Sequence, residues 1–137
     1  MKLDRSNRAY SLLRYFLVLS TKDFEEIFDL KKHSQHLRQI IYLYFNPPEK
    51  EKKKKNVQLI STEVFSSYIE INFQGTPTLN LSEFIGVLKS TSARKFLQEF
   101  PESRTGKGLW SNDYLIFTRE QFVKAHKDFY FASQKKK

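Results

Sequence analysis

The stretch Ser66-Ser67-Tyr68-Ile69-Glu70-Ile71-Asn72-Phe73-Gln74 alternates polar and apolar residues with period two. That period marks a β-strand with one buried face and one open face. Ile69, Ile71 and Phe73 point into a core, while Tyr68, Glu70, Asn72 and Gln74 form a row of polar tips on the opposite face. A chemical site in this chain belongs on that row, and the helix end Tyr130-Phe131-Ala132-Ser133-Gln134 has to meet it.

Working outward, Val57 to Val64 has strand character, and Phe65-Ser66-Ser67 is short enough to join it to Tyr68–Gln74 as a hairpin, closed by Gly75-Thr76-Pro77. Tyr10 to Thr21 is nearly continuously apolar and predicts a central strand buried on both faces, with one face open near Arg14. Asp23 is the expected N-cap of a helix over Phe24 to Phe45, which Asn46-Pro47-Pro48 stops. Asn80 or Ser82 caps a second helix reaching about Phe100, with Leu81, Phe84, Ile85, Leu88 and Phe96 as its buried stripe and Lys89, Arg94 and Lys95 off it. Tyr114 to Thr118 is the fourth strand, and a last helix is expected from about Glu120 to Gln134.

The order β-α-β-β-α-β-α predicts an α+β fold of the ferredoxin-like split βαβ type, an antiparallel sheet with helices on one face. The other face then has no cover within the chain and must meet solvent, a ligand or a second protomer. The 137 residues suffice for one domain, 1–137, with a basic loop at 50–56 and a basic tail at 135–137.

Cysteine is absent, which excludes disulfides, thiolate metal sites and cysteine nucleophiles. The formal net charge of +9 favours a polyanionic partner, nucleic acid or an anionic membrane surface. No apolar run approaches the ~20 residues of a membrane span. The start, Met1-Lys2-Leu3-Asp4-Arg5-Ser6, does not read as a signal peptide, so a cytoplasmic protein without membrane contact is expected.

Several stretches together resemble the small single-tyrosine HUH transposases of the simplest insertion sequences and their REP-associated relatives. They are Tyr10-Ser11-Leu12 through Thr21-Lys22, Leu88 to Lys95 with Glu99-Phe100-Pro101-Glu102, Leu109-Trp110-Ser111 followed by Tyr114, and Tyr130-Phe131-Ala132-Ser133-Gln134. The resemblance covers roughly Ser6 to Lys137. It implies DNA transposition by a homodimer that binds single-stranded or hairpin DNA on a basic sheet-and-helix surface, here with Arg14, Lys89, Arg94 and Lys95. It makes Tyr130 the nucleophile that cleaves and rejoins a strand through a 5′-phosphotyrosine intermediate. It also implies a divalent cation, magnesium or manganese, held by a His-hydrophobic-His pair and by a glutamine one turn after the tyrosine, here Gln134.

The histidine pair falls on Tyr68-Ile69-Glu70, so neither histidine is present. Glu70 is a hard oxygen ligand, but a phenol titrating near ~10 is a poor one. Glu70 and Gln134 remain as metal ligands, and metal affinity is expected to be much weakened. Asn72 is one residue pair further along, about 7 Å away. His33 and His36 are spaced as surface histidines of the first helix; His126, one turn before Tyr130, is placed to orient or deprotonate the phenol, or simply to pack. Trp110 is placed to stack on a base or, more commonly, to anchor a loop. Two other functions fit the same pattern: a catalytically inactive, domesticated DNA-binding relative, and a ferredoxin-like protein-interaction module whose open sheet face serves only dimerisation.

Overall fold

Strand β1 (Leu13–Ser20) lies at the centre of a four-stranded sheet of order β2-β3-β1-β4, in which every neighbouring pair is antiparallel. The remaining strands are β2 (Val57–Val64), β3 (Tyr68–Gly75) and β4 (Leu115–Phe117), and the helices are α1 (Leu30–Phe45) and α2 (Leu81–Glu99). This computed structural model describes residues 13–48, 57–118 and 130–135, the last of which are helical. The basic loop 50–56, the start of the last helix at Glu120 and His126 lie outside the described residues. The strand order is that of the expected split βαβ. No described helix is long and apolar enough to cross a membrane.

The period-two pattern of β3 holds: Ile69, Ile71 and Phe73 are fully buried opposite Leu19, Leu17 and Tyr15 of β1. Each such side chain contributes roughly 1.5–3 kcal/mol by leaving water. On β2 the register shifts between Leu59 and Ser61, so that Leu59 pairs with Phe73 but Thr62 pairs with Ile71. Ile60 is the extra residue of this bulge and is exposed. The bulge re-phases the strand, which is why Val57, Leu59, Thr62 and Val64 can all follow the core-facing row of β3.

Helix α1 begins later than expected. Asp23 and Phe24 both adopt φ of 58° and form a turn of 3-10 type instead of a helix start. Residues 25–29 then follow without regular structure, with the Phe28 N–H donating to the Ser66 carbonyl at 3.0 Å. The cap is Asp29, whose carboxylate accepts from the N–H groups of Lys31 and Lys32. A left-handed phenylalanine costs about 1–3 kcal/mol, so packing must hold Phe24 there.

Asn80 caps α2 by accepting from the Glu83 N–H. Phe84, Ile85, Leu88 and Phe96 are buried against α1 and the sheet, as the stripe predicts, and Ser92 joins them. The Tyr44 hydroxyl ties the helices together by donating to the Phe84 carbonyl at 2.9 Å. Strand β4 is shorter than Tyr114 to Thr118, pairing only through Leu115, Ile116 and Phe117.

Candidate functional site

The site is assembled where the end of β1 meets two later segments. Leu109-Trp110-Ser111 runs alongside the end of β1: Lys22 N–H donates to the Leu109 carbonyl at 2.9 Å and Ser111 N–H to the Ser20 carbonyl at 2.8 Å. Trp110 fixes this segment, buried against Phe28 and donating its indole N–H to the Ser92 hydroxyl at 3.0 Å. It is therefore the loop anchor, with its indole inside the protein.

Tyr130 and Gln134 are one helical turn apart and both buried, as their spacing requires. The Tyr130 hydroxyl lies 2.9 Å from Ser20 Oγ, with a longer 3.4 Å donation to the Asp113 carbonyl. Gln134 Oε1 accepts from the Ser111 hydroxyl at 2.7 Å, and its Nε2 donates to Asp113 Oδ2 at 3.2 Å. Lys89 Nζ donates to the Ser111 carbonyl at 2.6 Å. A cavity of about 480 Å³ opens beside this cluster, lined by Asn112, Asp113, Tyr114, Leu115, Tyr130, Ser133 and Gln134. Burial pushes the Tyr130 phenol above its ordinary value; the Ser20 hydrogen bond opposes this and the Asp113 charge adds to it. Burial also lowers the Lys89 ammonium, against the pull of Asp113. Both shifts favour the neutral form of the group concerned.

The sheet face expected to be open is thus partly covered. Ser20 and Tyr68 are paired in register on the face away from α1 and α2, and residues 130–135 lie over that end of it. Tyr68 belongs to an aromatic cluster. Its ring is 4.5 Å from Phe65, 4.3 Å from Phe131 and 6.1 Å from Phe24, and Phe24 is 5.0 Å from Phe131. Glu70 is buried, opposite Val18 on one side and Glu63 on the other. Asn72 lies further along the same row, and its Nδ2 donates to the Ser61 hydroxyl at 3.3 Å.

These residues do not fit a hard divalent cation, which needs about six oxygen donors. The position of the first implied ligand is a tyrosine packed among phenylalanines. The implied amide ligand already joins Ser111 and Asp113, leaving Glu70 as the carboxylate. Among the described residues there is no group of three His, Cys, Asp or Glu that could hold a metal.

The basic residues named from the sequence are not gathered in one place. Arg14 is exposed at the open-face start of β1, opposite Gln74. Lys89 belongs to the tyrosine cluster, whereas Arg94 and Lys95 are exposed on α2, where Lys95 lines a groove of about 500 Å³ with His36, Gln39, Ile40, Leu43, Gln98 and Glu99. His33 is buried, not solvated, and its Nδ1 accepts from the Asp29 N–H at 3.0 Å. Ser20 and Asp113 are partners that the sequence did not single out, and Ser111 stood in the Leu109-Trp110-Ser111 stretch without a role of its own. The signal available for Ser20 was a polar residue ending an apolar run.

A conserved-pattern description of IS200-like transposases matches residues 9–132, a span that includes Tyr130. The chain belongs to the IS200-like transposase family. It is 26% identical over 84 residues to the ISDra2 transposase TnpA of Deinococcus radiodurans, a match that takes in 59% of this chain and 60% of that protein. The chain thus spans about 60% of the length of that curated relative. In fold it is similar to the crystal structure of a candidate transposase from the same organism, with a TM-score of 0.75, 24% identity and 98% of each chain covered.

Proposed function

We propose that this chain binds single-stranded or hairpin DNA as a homodimer and holds it without cutting it. Tyr130 then serves to dock the terminal helix on the sheet. The observation that carries this is Tyr68, whose ring is packed on Phe65 and Phe131 at the position where the resemblance places a metal ligand. The net charge of +9 and the exposed Arg94 and Lys95 supply contacts to phosphates. The buried phenol and the engaged Gln134 amide complete a packed unit.

A second function rests on the persistence of the Tyr130–Gln134 pair beside a cavity of about 480 Å³. In it the Tyr130 oxygen bonds to phosphorus, the bond to the 3′ oxygen breaks, and that oxygen leaves as a 3′-hydroxyl after taking up a proton.

The test is incubation of the full chain with a panel of DNA hairpins in manganese. The first function predicts no covalent adduct, together with steeply salt-dependent binding that Tyr130→Phe leaves unchanged. An adduct on a hairpin that disappears in Tyr130→Phe would establish the second instead.

A further inference from the structure

We infer that the aromatic cluster standing in place of the metal ligands is a stacking platform for an unpaired nucleobase of bound DNA. This rests on the DNA-binding function proposed above and locates one contact of it. Phe24, Phe65, Tyr68 and Phe131 are each only partly buried, so the cluster stands at the surface and not in the core. The Phe65 and Tyr68 planes lie within 15° of each other, and those of Phe24 and Tyr68 within 10°. Near-parallel rings of this kind form a stack that one more flat ring can extend.

The backbone under Phe24 supplies a second, independent observation. Two consecutive residues, Asp23 and Phe24, are held at φ of 58°. Strained backbone of this kind persists where surrounding structure over-determines it, and it clusters at ligand-binding positions. Here it aims a large ring at Tyr68 and Phe131, where glycine would make the same turn without strain.

The charges nearby suit a nucleotide. Lys135 Nζ lies 5.5 Å from the centre of the Phe24 ring, and Lys22 is in the same turn. The acidic groups nearby are Asp23 and Glu25 in and after the turn, and the buried Glu70 two residues along β3 from Tyr68. Lys107 sits 3.0 Å from Asp23 and 3.9 Å from Glu25 and offsets their charge, so Lys22 and Lys135 add positive charge beside the rings that suits a phosphate. A purely apolar partner would gain nothing from these lysines, whereas a base with its phosphate uses both the rings and the cations.

The experiment uses the full chain and single-stranded oligonucleotides carrying 2-aminopurine, whose fluorescence is quenched on stacking. Wild type should quench the probe and prefer single strands to duplex. Phe24→Gly should bind the single strand roughly ten-fold more weakly, the range of one lost base stack, with an unchanged salt slope. Its melting midpoint should stay close to that of wild type, because relief of the strained turn offsets the lost packing of a partly buried ring. Phe65→Leu, which keeps an apolar side chain away from the terminal helix, should show the same loss of quenching. Unchanged affinity and quenching in both variants would overturn the platform, as would a lower melting midpoint with intact DNA binding, which marks a mere seat for the terminal helix. A salt slope reduced by about one with quenching intact would replace stacking by a phosphate contact. If wild type binds no DNA, the proposed function itself fails, and the platform with it.

Discussion

Replacing Gln134 by methionine separates a structural amide from a metal-binding one. The side chain is 1% exposed and Ser111 is 4% exposed. Gln134→Met nearly conserves volume, so the cavity contribution is small. It leaves the buried Ser111 hydroxyl without its acceptor, at about 1–3 kcal/mol, and removes a donor from the part-buried Asp113 carboxylate, at about 0.5–1.5 kcal/mol. The sum, roughly 1.5–4.5 kcal/mol, falls on the docking of the terminal helix. At tenfold per 1.4 kcal/mol, amides in residues 130–135 should exchange with deuterium at least about ten-fold faster. Hydrogen-exchange mass spectrometry reads this directly, with a thermal melt in EDTA and in manganese alongside. The expected melt of wild type is the same in both. A ligand at a hundred times its dissociation constant adds about 2.7 kcal/mol to stability. Manganese stabilisation of that size in wild type, abolished in Gln134→Met, would refute the assignment of the amide to Ser111 and Asp113.

Two further outcomes follow from titratable groups in the helix layer. His33 Nδ1 accepts from the Asp29 N–H, and burial holds its pKa below 6.5, with Lys32 and His36 acting in the same direction and Asp29 and Glu102 opposing. The folded state therefore prefers neutral imidazole: its contribution is complete above about pH 6.5 and is lost as pH falls through the lowered folded value. Denaturant unfolding at pH 7.5 and 5.5 should show this loss, and His33→Gln, which keeps an acceptor but cannot charge, should reduce it. Tyr44, buried between the helices, has its phenol pushed up to about 12, mainly by desolvation and further by Glu83. An ultraviolet titration should show one tyrosine silent until about that pH and absent in Tyr44→Phe. The stability it contributes is complete below pH 10 and lost as pH rises through the folded value, and Tyr44→Phe should cost about 1 kcal/mol by removing the bond to Phe84.

What the sequence by itself determined is what depends on near neighbours. The alternation of Tyr68–Gln74, the stripe of α2 and the stop at Pro47 are local patterns, and they set the order of elements along the chain, the core face and the polar row. The spacing of Tyr130 and Gln134 likewise placed both on one face of a helix. The start of α1 was less legible: Asp23 and Asp29 are both good caps, and the choice came from the pairing of residues 25–29 with the β2–β3 turn. The bulge at Ile60 was hidden because a one-residue shift reveals itself only against the partner strand. The partners of the candidate site were decided by tertiary structure alone. Ser20 and Tyr130 are 110 residues apart, and Ser111 and Gln134 are 23 apart. No local period encodes which hydroxyl a phenol will meet. The same holds for Tyr68: its sequence position marked it as a failed metal ligand, and only the packing of Phe24, Phe65 and Phe131 around it showed an aromatic surface in the metal's place.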